Sequence, residues 1–247
     1  MSNTIITPIG ADHLTSALSG ICVNKLAHKR CGLPVPHFVI PLDSGNGQTT
    51  ILRYIADILK NNDVRHFGGL DHYLEYNLDG SLGNLKQMFA DIESSAVYTN
   101  SYEGVIGINI CALASNINEQ GAYFVEKIAQ VGNTATLVLF IGNNPTKGAL
   151  TLVDSIKKVV PSLVSINIDP YSTEQLCEIA MLQLEERGVI LDDSPELTET
   201  FKNIISKNSC KTVRDLTPIV NDAIRTADFS GFLPKVSANT LILEKEI

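Results

Sequence analysis

Apolar and polar positions along the chain follow two periods in turn. Four short apolar runs, Phe38–Leu42, Val105–Ile110, Thr136–Ile141 and Val164–Ile168, have the length of buried strands. Between them, apolar residues recur at helical spacing over Thr49–Lys60, Ser81–Ile92 (through Leu82, Leu85, Met88, Phe89 and Ile92) and Ala122–Val131. A looser helical pattern, carried by Leu14, Leu18, Ile21 and Leu26, fills residues 12–30 and breaks at Gly32-Leu33-Pro34-Val35-Pro36. Strands that alternate with helices predict an α/β domain, here a five-stranded parallel sheet with helices on both faces.

After Asp169-Pro170 the strands stop. Ser172 and Gln175 are spaced as N-cap and N3 of a capping box, and Ser194-Pro195 places a cap before a proline at the first helical position. Helices are expected at about 173–187, 195–207 and 212–227. The chain therefore reads as an α/β core over 1–169, a small all-helical lid over 170–228 and a C-terminal extension over 229–247. That extension carries Pro234 and one apolar run, Leu241–Leu243.

Composition narrows the function classes. At 44% hydrophobic and 19% charged, the chain can bury a core. A net charge of −8 argues against a broad nucleic-acid surface, which needs clustered Lys and Arg. The basic run Lys25, His28, Lys29, Arg30 reads as a solvated helix face. Five scattered cysteines (Cys22, Cys31, Cys111, Cys177, Cys210) show no zinc spacing and suit a reducing compartment. Neither a signal peptide nor an apolar stretch of about 18 residues is visible, so a cytoplasmic protein with no membrane span is expected.

One segment carries chemistry. The run His37–Leu42 leads into Asp43-Ser44-Gly45-Asn46-Gly47-Gln48-Thr49-Thr50 and then into a helix. That is the strand, glycine-rich loop and helix order of a phosphate-binding loop, in which backbone N–H groups and a helix N-terminus cradle phosphates. The pattern requires Gly where Leu42 stands and Lys where Gln48 stands. The shape is kept while the charge that neutralises phosphate is gone. Read alone, Gly45-Asn46-Gly47 would also serve as an ordinary strand-to-helix turn, with Thr49 and Thr50 as capping residues.

With this loop, the lead-in Val23–Pro36, the strand Gly104–Leu113 and the segment Asp169–Leu176 stand in an order and spacing that resembles the AAA+ ATPases. The nearest branch is that of red-type Rubisco activase and stage V sporulation protein K, and the likeness covers about residues 12–228. The resemblance implies nucleotide-binding residues Asp43 to Thr50, a Walker B pair at Asn109 and Ile110, a sensor 1 at Asn143 or Asn144, and a sensor 2 at Arg214. It also implies a pore-loop aromatic, for which Tyr76 is the counterpart, although a core tyrosine fits the same position. The segment Glu93–Glu103 looks longer than the family's connector.

Departures from the family pattern decide the functional expectation. A Walker B motif uses Asp to hold Mg²⁺ and Glu to polarise water; Asn109 and Ile110 do neither. No arginine lies between Arg65 and Arg187 to serve as a finger, and only Lys147, Lys157 and Lys158 bring positive charge near the expected place. The favoured reading is a degenerate AAA+ module that acts as a structural or interaction subunit, beside an active AAA+ paralogue or as a homo-oligomer. The alternatives are a working, protein-remodelling ATPase with substituted motifs, and an enzyme of another class that shares the loop. For the last, the histidines at 13, 28, 37, 66 and 72 offer material but no catalytic constellation, and His66 with His72 lacks company for a metal. No metal site is expected. Any cofactor should be ATP or ADP, held weakly and with little Mg²⁺ dependence. Restoring Gln48→Lys, Asn109→Asp and Ile110→Glu together is expected to improve nucleotide binding.

Overall fold

A computed structural model describes residues 8–65, 73–97, 104–113, 119–160 and 162–242. Contacts divide the chain into two compact units, with the division in sequence between Ile168 and Asp169. The first opens with α1 (Asp12–Val23) and α2 (Lys25–Cys31), then alternates β1 (His37–Ile40), α3 (Gln48–Asn61), β2 (Tyr73–Asn77), α4 (Leu82–Val97), β3 (Val105–Asn109), α5 (Glu119–Gly132), β4 (Thr136–Phe140), α6 (Lys147–Val159) and β5 (Leu163–Ser165). All pairings are parallel, and the five strands lie in the order β2-β3-β4-β1-β5.

Strand periodicity assigns each side chain to a face. Phe38, Ile40, Val138 and Phe140 pack with Leu14 and Leu18 of α1 and with Leu52, Ile55 and Leu59 of α3. Their neighbours Val39, Leu137 and Leu139 point the other way, onto Phe89, Phe124, Ile128, Leu152 and Ile156 of α4, α5 and α6. Both faces are thus covered, as a parallel sheet requires.

Gly107 marks one tight approach between layers. A Cβ there would collide with the side-chain carbons of the fully buried Leu52. Gly107→Ala should force Leu52 from its rotamer and cost about 1–3 kcal/mol. Chemical denaturation checks this, and Leu52→Ala in the same chain should recover part of the loss.

Several expectations change. The predicted helix over 12–30 is two, interrupted at Asn24, whose side-chain amide donates to the Gly20 carbonyl at 2.9 Å. The helix expected to end at Ile92 continues to Val97, so the start of the 93–103 connector is helical; 98–103 lie outside the described residues. Tyr76, the pore-loop counterpart, sits in strand β2 opposite Ile108 and packs on the core. Burial first, and Asp91 second, push its phenol up to about 12. It is a wall of the core.

The second unit builds its own core from α7 (Thr173–Glu186), α8 (Pro195–Lys207) and α9 (Leu216–Arg225), with Phe201, Leu216 and Leu184 fully buried. The Ser172–Gln175 capping box forms as read, at 3.2 and 2.9 Å. A 3-10 turn, Val213–Asp215, precedes α9 where one continuous helix is expected. The segment from 229 onward does more than extend: β7 (Lys235–Val236) pairs with β6 (Ile190–Leu191), Val236 is fully buried in this core, and α10 (Ala238–Ile242) follows.

Candidate functional site

The loop after β1 turns through two left-handed glycines, Gly45 (φ 93°) and Gly47 (φ 85°), which a side chain would strain. Gly47 is the N-cap of α3, so the first N–H groups of that helix open toward the loop. Leu42, standing where the motif has its first glycine, is buried with the α1 and α3 side chains.

Gln48 is the first residue of α3 and only 5% exposed. Its amide Nε2 donates to the Leu42 carbonyl at 2.9 Å. A lysine at this point would reach over the loop toward phosphate. The glutamine instead ties the loop's two ends together and adds no charge.

Thr49, the residue a Mg²⁺-phosphate complex would engage, donates its hydroxyl to Glu75 Oε2 at 2.7 Å. Glu75 comes from the edge strand β2. Thr50 is exposed beside it. On the other side of the loop, Asp43 accepts from both the backbone N–H and the side-chain amide of Asn143, each at 3.0 Å. Asn143 therefore clamps a loop carboxylate, with Asn144 exposed next to it.

Asn109 and Ile110 do local work. Asn109 Oδ1 accepts the Cys111 N–H at 3.1 Å and caps the turn that leaves β3. Ile110 is fully buried in the α4–α6 core, and its N–H continues the ladder to the Phe140 carbonyl at 3.0 Å. Cys111, which sequence reading did not single out, is held as a neutral thiol by burial and secondarily by Asp43. Arg214 lies in the second unit, exposed on the 3-10 turn. Lys147 begins α6, and Lys157 and Lys158 lie in its last turn, where cations favour the helix dipole. Among the described residues no group of three or more His, Cys, Asp or Glu is placed to hold a metal. His66 and His72 lie outside the described residues.

Asp43, Gln48 and Thr49 lie on one loop-to-helix segment, and Asn143 bonds to its Asp43. The site adds Glu75, which the motif reading missed. Thr49 with Glu75 and Asp43 with Asn143 are already bonded side chain to side chain, and two carboxylates flank a loop whose lysine position is a neutral amide.

Comparison with known proteins bears on the fold alone. No protein-family model matches the chain, and neither does any curated protein. Solved structures do. A point-mutant RuvB from Thermotoga maritima aligns at TM-score 0.59 and 15% identity over 97% of this chain and 68% of that one. The Aeropyrum pernix ORC1 protein in complex with DNA aligns at TM-score 0.59 and 14% identity, over 96% of this chain and 65% of that one. Domain III of the Thermotoga maritima replication initiation protein DnaA aligns at TM-score 0.53 and 13% identity, covering 98% and 92%. This chain spans about two thirds of the RuvB and ORC1 chains. At such identities the likeness establishes architecture: the chain has the P-loop NTPase-like α/β fold of these structures.

Proposed function

We propose that this protein is a degenerate AAA+ module with little or no ATPase activity, serving as a structural or interaction subunit in a cytoplasmic protein assembly. The partner would be an active AAA+ protein or further copies of this chain. Within AAA+ proteins, the lead-in and loop sequence favours the Rubisco activase and stage V sporulation protein K branch. One observation carries the reading: the two side chains that would meet phosphate and metal are already bonded within the protein, Gln48 to the Leu42 carbonyl and Thr49 to Glu75 of β2.

A nucleotide would have to displace the Thr49–Glu75 bond and approach the Asp43 and Glu75 carboxylates without a lysine. Against that, the α3 dipole and loop N–H groups offer about 0.3–1 kcal/mol per interaction. Calorimetric titration should therefore give weak ATP and ADP binding that changes little with Mg²⁺, and Gln48→Lys should strengthen it. Tight, Mg²⁺-dependent binding by the natural protein would overturn the proposal.

A second reading, an ATP-dependent protein remodeller with substituted motifs, is favoured by Glu75 alone. It brings a carboxylate to the threonine that normally meets the metal. Tight binding abolished by Glu75→Gln would select that reading.

A further inference from the structure

A cavity lies at the end of the strands opposite the loop. Its volume is about 670 Å³, within the range of small-molecule sites. It opens at the amino-terminal ends of β1 and β4, between the chain entering β1 and the ends of α5 and α6. Ligands of open α/β sheets usually sit at the carboxyl ends, so this cavity is separate from the loop chemistry.

One wall contains His37, the first residue of β1 and 3% exposed. Apolar residues fill the rest of that strand, and an imidazole in such a place costs free energy unless its nitrogens are used. Nδ1 accepts the Leu137 N–H at 3.0 Å, replacing a ladder bond between β1 and β4. That contact fixes the proton on Nε2, because a neutral imidazole has one donor and one acceptor. No acceptor among the described residues meets Nε2, and the residue lines the cavity. Burial, and next the Arg65 charge, hold His37 down to about 4, so the ring is a neutral donor near pH 7.

Arg65 stands on the same wall, fixed by Nη1 donating to the Thr134 carbonyl at 2.7 Å and Nε to Thr136 Oγ1 at 3.2 Å. At another part of the lining, Lys29 pairs with Asp63 at 2.8 Å. Val35, Val64 and Val160 supply an apolar lining. A neutral N–H donor beside a fixed guanidinium, next to apolar wall, matches an oxyanion carried on an apolar body.

We propose that this cavity is a binding site for a small molecule that joins a carboxylate or phosphate to an apolar group, with His37 Nε2–H as the positioning donor. The inference is independent of whether the loop binds nucleotide.

The test uses the full chain with ¹⁵N-labelled histidine. Benzoate and phenyl phosphate are titrated while the His37 Nε2 resonance is followed, with phenol as the uncharged control. A saturable shift with at least one anion, at millimolar or lower concentration, is expected, and the anion that acts distinguishes carboxylate from phosphate. Phenol should produce none. Asn133→Trp, an exposed change at the rim, should weaken the response by roughly tenfold or more with Tm unchanged. No saturable shift with either anion, an equal shift with phenol, or full binding by a folded Asn133→Trp variant would each overturn the site.

Discussion

Purified protein mixed with ATP and Mg²⁺ should show turnover indistinguishable from background. Phosphoryl transfer is catalysed mainly by charges placed in advance around the transferring group, and an arginine finger alone is worth about 10³–10⁵ in rate. Here the lysine position is a neutral amide bonded to Leu42. The metal-anchoring position is Asn109, whose oxygen caps Cys111. Ile110, standing for the water-polarising glutamate, is buried in the core. Any one of these losses can be offset by a neighbour, and Glu75 is a neighbour of the right kind for the metal. Glu75 cannot replace a lysine and a water-polarising group as well. A rate of about one turnover per minute would lie well below ordinary enzymes. Such a rate, lost on Thr49→Ala, would still be enough to refute the degenerate-module reading. Turnover that survives Thr49→Ala would point to a contaminant.

The parts of this molecule that sequence shows are those fixed by local spacing or by burial on two faces. Strands Val105–Asn109 and Thr136–Phe140 are nearly continuous apolar runs because helices cover both sides of the sheet. The Ser172–Gln175 capping box is contained in four residues. Strand β2 is different. At the sheet edge it is only half-buried and holds Glu75 and Asn77, so its apolar pattern is diluted and the segment resembles a loop. Missing β2 hides Glu75 from the site, since the Thr49–Glu75 bond spans 26 residues. The Asp43–Asn143 clamp spans 100, and no local pattern announces it. Helix α6 was within reach, because Ala149, Leu152, Val153 and Ile156 repeat at helical spacing. Attention to Lys147, Lys157 and Lys158 as isolated charges passes over it.

Ile110→Glu should destabilise the first unit severely, which works against the binding gain expected from restoring all three motif residues. A positional match to a motif says which residue type once stood there; it does not say what now surrounds it. Ile110 has no exposed surface and shares its core cluster with Leu78, Leu113 and Ile141. A carboxylate placed there would be buried among apolar side chains, and an uncompensated buried charge costs about 3–5 kcal/mol. Typical domains have only about 5–15 kcal/mol in total. Burial would raise the new glutamate above its ordinary value of about 4.3. The unfolded chain then releases a proton that the folded chain retains, so the loss grows as pH rises through that value and eases as pH falls below it. Asn109→Asp is the control: it keeps an Oδ1 to accept the Cys111 N–H and should change stability by about 1 kcal/mol or less. Urea unfolding of both variants at neutral and at acidic pH checks the pair. An Ile110→Glu variant as stable as the natural chain at neutral pH would mean that this side chain can turn out toward the loop, and the dead-site argument would lose one of its three supports.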